Sequence, residues 1–453
     1  MRPGGLKRDV SATFLGSIAT AALGLATAAI MARTLGREGR GLLALALFIP
    51  QIIATFGRFG QDSVNSVLAG LYKDKRPHLF QQSVLTAVVA GSVGWVILSA
   101  YFFWLPIPRG EFADVPPNLV CLSALIVPIS VLQALLSCLV RGTGRVVTAA
   151  ILSVAEAACM LAAVAVFLGW LGQGVEGAVR IAICLPLAQI LVSLWLLRDF
   201  VSLRPSDFSG EMLRRSIRMG GLTCLATLAT YLVYRVDQGM LAYMTTKEEL
   251  GLYVVAVGLA ERLRLLPNAL GAAFLPRLVN ELATRQPQVP LMFRATTVLS
   301  VAAMLGVGIA GPPVIYLVFG AEFIGSIVPF LLLLPGVAAL GGASILSSDL
   351  LAREEPKYSV WTSCGMLVLN LGLNRVLIPV IGIAGAAVAS TVCYMSACGL
   401  AMLFYRRESG VSLRELAPHW EDVGYVWTSG LAYAKNLVGM SRRPEDADGA
   451  RRG

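Results

Sequence analysis

Charged residues are scarce in this 453-residue sequence, at 14% of the total, while hydrophobic residues reach 56%. Soluble globular domains carry about 25% charged residues. So little charge, together with a mean hydropathy of +0.72 and many apolar runs of about 18 residues or more, excludes an ordinary soluble domain. The composition predicts an all-α protein that crosses the membrane many times.

Histidine and paired cysteine are also in short supply. Only two histidines occur, and the eight cysteines fall inside apolar runs without forming a CxxC motif. This argues against a zinc site or a disulfide framework and favours cysteines that pack as small apolar residues. GxSxG, Walker A and HExxH motifs are absent as well. We expect no enzyme activity, no metal and no cofactor, and any transport to be secondary.

The net charge of +10 would suggest nucleic acid in a soluble protein, but in a membrane protein it is explained by basic cytoplasmic loops facing anionic lipids. Lys and Arg concentrate in alternate loops, which predicts a multi-pass protein of the plasma or inner membrane with both termini cytoplasmic. The predicted spans are 12–32, 42–70, 83–105, 118–140, 147–169, 177–197, 220–244, 252–276, 295–318, 327–350, 358–378 and 384–404.

The two halves of the chain repeat each other. ARTLGREGRGLLALA (32–46) aligns with AYMTTKEELGLYVVA (242–256), and GVEGAV (174–179) aligns with GIAGAA (382–387). Six spans per repeat make the repeats parallel, related by an axis along the membrane normal. We predict two six-helix lobes around a central cavity: residues 1–210, residues 211–405, and a polar cytoplasmic tail over 406–453.

Polar residues inside the spans need a reason, because a charge at the bilayer centre is costly. The second span carries Gln51, Thr55, Arg58, Asp62 and Asn65 at spacings of one helical face. Two interpretations stay open: a wetted, substrate-facing wall, or a structural pair in which Arg58 merely holds Asp62.

Three other spans also carry polar residues within apolar sequence, and most of the charged ones are arginines. The residues are Tyr231, Arg235, Asp237 and Gln238 on the seventh span, Glu261, Arg262, Arg264 and Asn268 on the eighth, and Asn370, Asn374 and Arg375 on the eleventh. Arginine suits phosphate and carboxylate because its planar guanidinium donates two parallel hydrogen bonds and always stays charged. The set therefore predicts an anionic substrate. The alternative is ion pairs between helices.

Buried carboxyl groups raise a separate question. Glu156 lies alone in the fifth span, where it either hydrogen-bonds a neighbouring helix or couples transport to protons. Glu156, Asp237 and Glu261 are the candidates for ion coupling.

Four segments resemble a known family: MARTLGREGRGLLALA (31–46), YRVDQGMLAYMTTKEELGLYVVAVGLAERLRLLPNALGAAFLPRLVN (234–280), FGAEFIGSIVPFLLLLPG (319–336) and LIPVIGIAGAAVAS (377–390). They are similar to the oligosaccharide flippases, the polysaccharide-transport branch of the multidrug/oligosaccharidyl-lipid/polysaccharide (MOP) exporter superfamily. The likeness extends over about residues 5 to 405.

The resemblance implies 12 to 14 spans in two lobes around a V-shaped cavity, and alternating-access translocation of a polyprenyl-diphosphate-linked sugar to the outer leaflet. Family members line this cavity with arginines on the second and eighth spans, which here match Arg58 and either Arg262 or Arg264. The lipid II flippases also carry an arginine in the first span. None lies in 11–32, which favours a capsule, exopolysaccharide or O-antigen type of repeat unit.

On this basis the diphosphate would bind Arg58, Arg262, Arg264, Arg235 and Arg375. Gln51, Asp62, Asn65, Tyr231, Gln238, Asn268, Asn370 and Asn374 would line the cavity. Expected partners are the lipid-linked oligosaccharide, membrane lipids and polysaccharide polymerase or export machinery, with no nucleic acid. The alternatives are a drug or organic-ion antiporter of the same superfamily and a membrane scaffold for polysaccharide assembly.

Overall fold

The computed structural model describes residues 3–104, 110–143, 146–201, 209–264, 285–353, 357–419, 422 and 424. These ranges are almost entirely helical and contain no strand. The α-helices in chain order are α1 (Pro3–Gly57), α2 (Gln61–Leu71), α3 (Arg76–Ser99), α4 (Pro117–Ala124), α5 (Ile126–Gly142), α6 (Val146–Val164), α7 (Gly174–Leu196), α8 (Gly210–Val233), α9 (Val236–Met244), α10 (Lys247–Ala260), α11 (Arg285–Val314), α12 (Ile327–Ala352), α13 (Lys357–Ser409) and α14 (Leu413–Leu416).

Eight helical segments of the described chain are long and apolar enough to cross a membrane. Two of them contain a sharp bend: α1 at Gly36, with φ 64° and ψ −176°, and α13 at Ile381 and Gly382, where Gly382 has φ 57°. Glycine occupies both bends because a Cβ disfavours positive φ. The predicted class, an all-α polytopic membrane protein, is confirmed, and the number of twelve spans stays a prediction.

The backbone supports the internal repeat. Gly174 and Gly382 are equivalent in the sequence alignment of the halves, and both adopt left-handed φ values, 60° and 57°. Gly41 and Gly251 form a second equivalent pair and pack against each other, because a methyl group added to Gly251 would lie 3.1 Å from the Gly41 backbone nitrogen. The predicted boundary between the halves, at residues 210 and 211, falls at the start of α8 and stays a prediction.

A break after α1 corrects the prediction for the second span. The helix stops at Gly57, Phe59 and Gly60 take left-handed φ values of 48° and 68°, and α2 starts at Gln61. Left-handed geometry costs a residue with a side chain roughly 1–2 kcal/mol, so the surroundings must impose it at Phe59. The predicted polar residues therefore do not share one continuous helix, because Arg58 lies in the break and Asp62 and Asn65 belong to α2.

A single large hydrophobic cluster joins both halves, with fully buried members such as Val127, Val131, Tyr253, Phe330 and Ala386. Of two smaller clusters, one joins the N-terminal half to Met212 of α8, and the other joins the C-terminal half to Leu416 at the start of the tail. Large apolar side chains are exposed on the outside, including Trp170 at 83% and Ile309 at 79%. In a protein of this class those side chains face lipid, which is as apolar as they are.

The start of the tail packs against the C-terminal half. Helix α13 continues to Ser409, a few residues past the predicted boundary at 405. Ser412 and Glu415 then cap α14 reciprocally, and Arg294 of α11 pairs with Asp422 at 3.2 Å. The remainder of the tail, 425–453, lies outside the described residues.

Candidate functional site

Three of the predicted arginines lie where a helix is interrupted. Arg58 sits between α1 and α2, Arg235 between α8 and α9, and Arg262 in a 3₁₀ turn that follows α10. Interrupted helices release backbone groups, which at membrane depth are tolerated where protein or a water-filled cavity satisfies them. Transporter sites are typically built at such discontinuities.

Arg58 is held loosely. Its Nε donates to the Ala54 carbonyl at 3.2 Å, and one terminal nitrogen donates to the Thr55 hydroxyl at 3.1 Å. The other terminal nitrogen lies 3.6 Å from an Asp62 carboxylate oxygen, and both side chains are 28% exposed. A partly exposed ion pair of this length contributes about 0–1 kcal/mol. Arg58 is therefore oriented by α1 but remains free to exchange Asp62 for a stronger anion.

Arg58 and Asp62 open onto a polar cavity of about 240 Å³ inside the N-terminal half. Helices α5, α6 and α7 supply its other walls. The lining residues are Arg58, Asp62, Gln133, Ala134, Ser137, Cys138, Val140, Arg141, Leu152, Ser153, Glu156, Gln189 and Ser193. A small polar ligand in this cavity could thus contact two arginines, two carboxyl groups, two amides and three hydroxyls.

Most residues of this cavity are absent from the set predicted from the sequence. Gln133 donates through Nε2 to Gln189 Oε1, and Gln189 lies within hydrogen-bonding reach of Glu156. This chain links α5, α6 and α7, as expected if Glu156 hydrogen-bonds a neighbouring helix. Polar residues in the middle of predicted spans were the available signal, since Gln133 and Gln189 are as anomalous there as Glu156.

The second helix break pairs two predicted residues. Arg235 approaches Glu261 at 3.5 Å, with side-chain exposures of 30% and 27%. Nearby, the Tyr231 hydroxyl donates to Gln51 Oε1 at 3.4 Å. Because Gln51 belongs to the N-terminal half and Tyr231 to the C-terminal half, these side chains face each other across the space between the halves.

Asp237 lies in a fully buried cluster of the C-terminal half and is 1% exposed. It accepts hydrogen bonds from the Tyr253 hydroxyl at 2.5 Å, the Ser390 hydroxyl at 3.1 Å and the Gln238 backbone N–H at 2.7 Å. Three helices, α9, α10 and α13, meet at this carboxyl group. A group so enclosed can bias the packing of those helices through its charge state.

Four predicted polar residues lie in the protein interior. Asn65 accepts from Gln82 at 2.9 Å and from Ser216 at 2.7 Å, and Asn374 donates to Asn370 at 2.7 Å. These asparagines are 0% exposed and Gln238 is 8% exposed. The structure therefore places them between helices, outside the open space next to Arg58.

The other predicted cations are dispersed. A terminal nitrogen of Arg262 would lie 3.4 Å from a methyl group on Gly24 of α1, so this side chain points at the N-terminal half. Arg375 is exposed on α13. The side chain of Arg264 and the whole of Asn268 lie outside the described residues.

A second cavity, of about 220 Å³, lies in the C-terminal half between α8, α12 and α13, and Val233, Leu340 and Met366 are among its apolar lining residues. The lining of this cavity is uncharged and rich in hydroxyl groups, from Thr230, Tyr234, Ser344, Ser347, Ser359, Thr362 and Ser363. The two halves thus carry cavities of similar size, and of these two only the N-terminal one is lined by charged side chains.

The halves close against each other at one end of the molecule, which we call the sealed end: residues 33–41, 110–114, 243–251 and 317–322. Lys247 bridges to Glu38 at 2.9 Å and to Asp114 at 3.4 Å, and the hydrogen bonds to these carboxylates raise the pKa of Lys247. Arg33 donates to the Val318 carbonyl at 2.8 Å. Methyl groups on Gly41 and Gly251 would collide with the opposite backbone at 1.8 and 1.9 Å.

The family model of a polysaccharide biosynthesis protein matches residues 6–280, more than half of the chain. The chain belongs to this polysaccharide biosynthesis family of the MOP superfamily. Its family and fold are therefore those of transporters, not of enzymes, and the predicted membership is confirmed. A comparison with curated proteins finds no significant match.

Solved structures of MOP transporters share the fold. An inward-facing multidrug resistance MATE transporter is 16% identical, with a TM-score of 0.66 over 86% of this chain and 94% of that chain. An outward-facing MATE structure gives 16% identity and 0.64 over 89% and 95%. A MOP transporter from Pyrococcus furiosus Vc1, described as having a binding pocket of reversed polarity, gives 16% and 0.60 over 89% and 95%. At such identities the likeness concerns the fold alone.

Among the described residues, no group of three or more His, Cys, Asp or Glu side chains could hold a metal ion.

Proposed function

We propose that this family member flips a polyprenyl-diphosphate-linked oligosaccharide from the cytoplasmic to the outer leaflet for export of a surface or extracellular polysaccharide. The observation that carries the proposal is that Arg58 lines a polar cavity, oriented by α1 but only weakly paired with Asp62. A diphosphate offers more negative charge and more acceptor oxygens than one carboxylate, so it would displace Asp62.

The two cavities suit a charged head group with attached sugars. Arg58 and Arg141 in the N-terminal cavity attract phosphate or an acidic sugar, while hydroxyls and amides provide neutral hydrogen bonds to sugar hydroxyls. The polyprenyl tail would stay in lipid while the polar part crosses between the halves. In this scheme Arg235 and Arg262 take part in binding, and Asp237 or Glu156 couples the transition to an ion.

The cell membrane is the proposed location, with both termini cytoplasmic, and polysaccharide polymerase or export machinery is the proposed partner on the outer side. The sealed end would then face outwards, so substrate would enter from the cytoplasm. An organic-cation antiporter of the same superfamily would need a cavity that attracts cations, and Arg58 and Arg141, which offset Asp62 and Glu156 in the cavity lining, disfavour it.

The experiment starts from a strain in which the gene for this protein is deleted and polymer export is lost. Variants are then tested for their ability to restore export. Arg58→Ala should abolish polymer export at wild-type expression, and Arg58→Lys should restore only part of it because it keeps the charge without the fork. Arg180→Ala is the matched control: this exposed arginine pairs with Glu176 at 2.5 Å outside the cavity. Wild-type export by Arg58→Ala would rule out a substrate-binding role for this residue.

A further inference from the structure

The cavity in the C-terminal half combines hydroxyl groups with apolar surface and has no charged side chain in its described lining. Seven of the 13 described residues that line it bear a hydroxyl, and the other six are apolar. A sugar ring has the same mixed character, because hydroxyls surround its edge and C–H groups cover its faces. The volume of about 220 Å³ is below the roughly 300–1,000 Å³ of sites for drug-sized ligands, so the cavity fits one ring rather than a chain.

Three of the lining hydroxyls form no hydrogen bond with any described residue: those of Ser347, Ser359 and Thr362. Serines in helices can donate to a carbonyl one turn back, and two neighbours on α12 do so. Ser344 donates to the Gly341 carbonyl and Ser348 to the Ser344 carbonyl, each at 2.7 Å. A hydroxyl in apolar surroundings is unfavourable without a partner, so the three lining hydroxyls are available to the contents of the cavity.

Helix α8 borders both this cavity and the space between the halves. Thr230 and Tyr234 line the cavity, while Tyr231, between them, reaches Gln51 of the N-terminal half at 3.4 Å. The Thr230 hydroxyl also lies 2.9 Å from that of Ser363, which joins α8 to α13. A substrate between the halves would therefore contact the helix that forms one wall of the cavity.

The internal repeat relates this cavity to the one that contains Arg58. LVRGTGRV (139–146), at the junction of α5 and α6, aligns with LAREEPKY (351–358), at the junction of α12 and α13. GVEGAV (174–179), at the start of α7, aligns with GIAGAA (382–387), at the bend in α13. Residues on α5, α6 and α7 line one cavity, and residues on the equivalent segments of α12 and α13 line the other. Both halves thus keep a cavity at the same place in the repeat, with different chemistry.

We propose that the C-terminal cavity binds one uncharged sugar ring of the substrate and that Ser347, Ser359 and Thr362 recognise its hydroxyls. The inference rests on the proposed function for the source of the ring, and it adds a site that selects which ring is accepted. A uronic acid would lose hydration in this cavity without meeting a counter-charge, so the site discriminates against it. The two repeats thereby divide the recognition of charged and neutral groups between them.

The test is binding of free methyl glycosides to the purified full-length protein, followed by saturation-transfer NMR. The probes are the methyl glycosides of glucose, galactose, mannose and N-acetylglucosamine, with methyl glucuronide as the charged comparison. At least one neutral probe should bind. Ser347→Ala and Thr362→Val should each weaken its binding about two- to tenfold, the loss of one neutral hydrogen bond. Thr362→Ser should bind as the wild type does, because it keeps the hydroxyl.

Ser348→Ala is the matched control. Ser348 lies next to Ser347 on α12, but its hydroxyl donates to the Ser344 carbonyl and it is not among the lining residues. Binding of none of the neutral probes, or equal weakening by Ser348→Ala, overturns the site. Methyl glucuronide that binds as tightly as the neutral probe and responds to Ser347→Ala would refute the selection of an uncharged ring.

A flipping assay in liposomes separates this inference from the proposed function. Its substrate is polyprenyl diphosphate linked to the neutral sugar that binds. Wild-type sugar affinity together with wild-type flipping in the double variant Ser347→Ala, Thr362→Val refutes the site but leaves the proposed function standing. Sugar binding that depends on these hydroxyls, in a wild-type protein that does not flip this lipid, supports the site and removes the proposed function.

Discussion

The backbone contact between Gly41 and Gly251 predicts how the halves can be forced apart. A methyl group on Gly251 would lie 1.9 Å from the Arg37 carbonyl oxygen, where ordinary contact begins at 3.4 Å. The opposing groups are backbone, so no side-chain rotation relieves the clash. Gly251→Ala therefore requires the two helices to separate by about 1.5 Å at the sealed end.

The substitution destabilises only the conformation in which the sealed end is closed. Overpacking costs roughly 1–3 kcal/mol, and it is present only while the sealed end is closed. The gain in helix propensity from replacing glycine, about 0.5–1 kcal/mol, stabilises both conformations and cancels. A bias of 1–3 kcal/mol shifts a two-state equilibrium about 5- to 150-fold, here towards an open sealed end.

Spin labels at Leu171 and Ala321, exposed positions in the two halves, report this equilibrium by pulsed dipolar spectroscopy in liposomes, in a background without native cysteines. Gly251→Ala should move population to longer distances. Gly258→Ala is the matched control, because nothing lies within 4 Å of its added methyl group on the same helix. Identical distance distributions for Gly251→Ala, Gly258→Ala and wild type would refute the reasoning.

Two further substitutions test the site. Gly220→Ala places a methyl group 2.5 Å from the Phe59 carbonyl oxygen, in the left-handed turn beside Arg58, whereas a methyl group on the neighbouring Gly221 would meet open space. Gly220→Ala should therefore slow flipping and lower the free energy of unfolding by about 1–3 kcal/mol, and Gly221→Ala should do neither. Equal effects from the two substitutions would contradict this. Asp237→Asn keeps the shape of a carboxyl group that accepts three hydrogen bonds but removes its charge. If Asp237 couples transport, the variant should stay folded and lose the response of flipping to imposed proton or sodium gradients, and a retained response would exclude coupling through Asp237.

The sequence was sufficient for the all-α membrane class, because long apolar helices follow from the membrane as solvent, whereas the number of spans and the division into two lobes stay predictions. The repeat even identified Gly41 and Gly251 as equivalent, and the structure places them in contact. Helical periodicity did not anticipate the break at Phe59; Gly57 and Gly60 on either side of it were the available signal, and the left-handed phenylalanine itself is imposed by tertiary packing, including Gly220.

That break also explains why the polar residues predicted to share one helical face lie in different surroundings. Arg58 and Asp62 remain at the cavity, but Asn65 rotates into a contact with Gln82 and Ser216. Burial between helices and exposure to a cavity look alike in a single sequence, because both place a polar residue within an apolar run. Only tertiary structure distinguishes Asn65 and Asn370 from Gln133 and Gln189.

The central claim is that a diphosphate-linked saccharide is the transported substrate and that Arg58 binds it. It is tested most directly by purified protein in liposomes, with flipping of a polyprenyl-diphosphate-linked oligosaccharide compared with uptake of an organic cation. We predict that wild type flips the lipid-linked sugar and not the cation, and that Arg58→Ala lowers the rate at least tenfold, as expected for a lost charge-assisted contact. Cation uptake without flipping, or wild-type flipping by Arg58→Ala, would contradict the account.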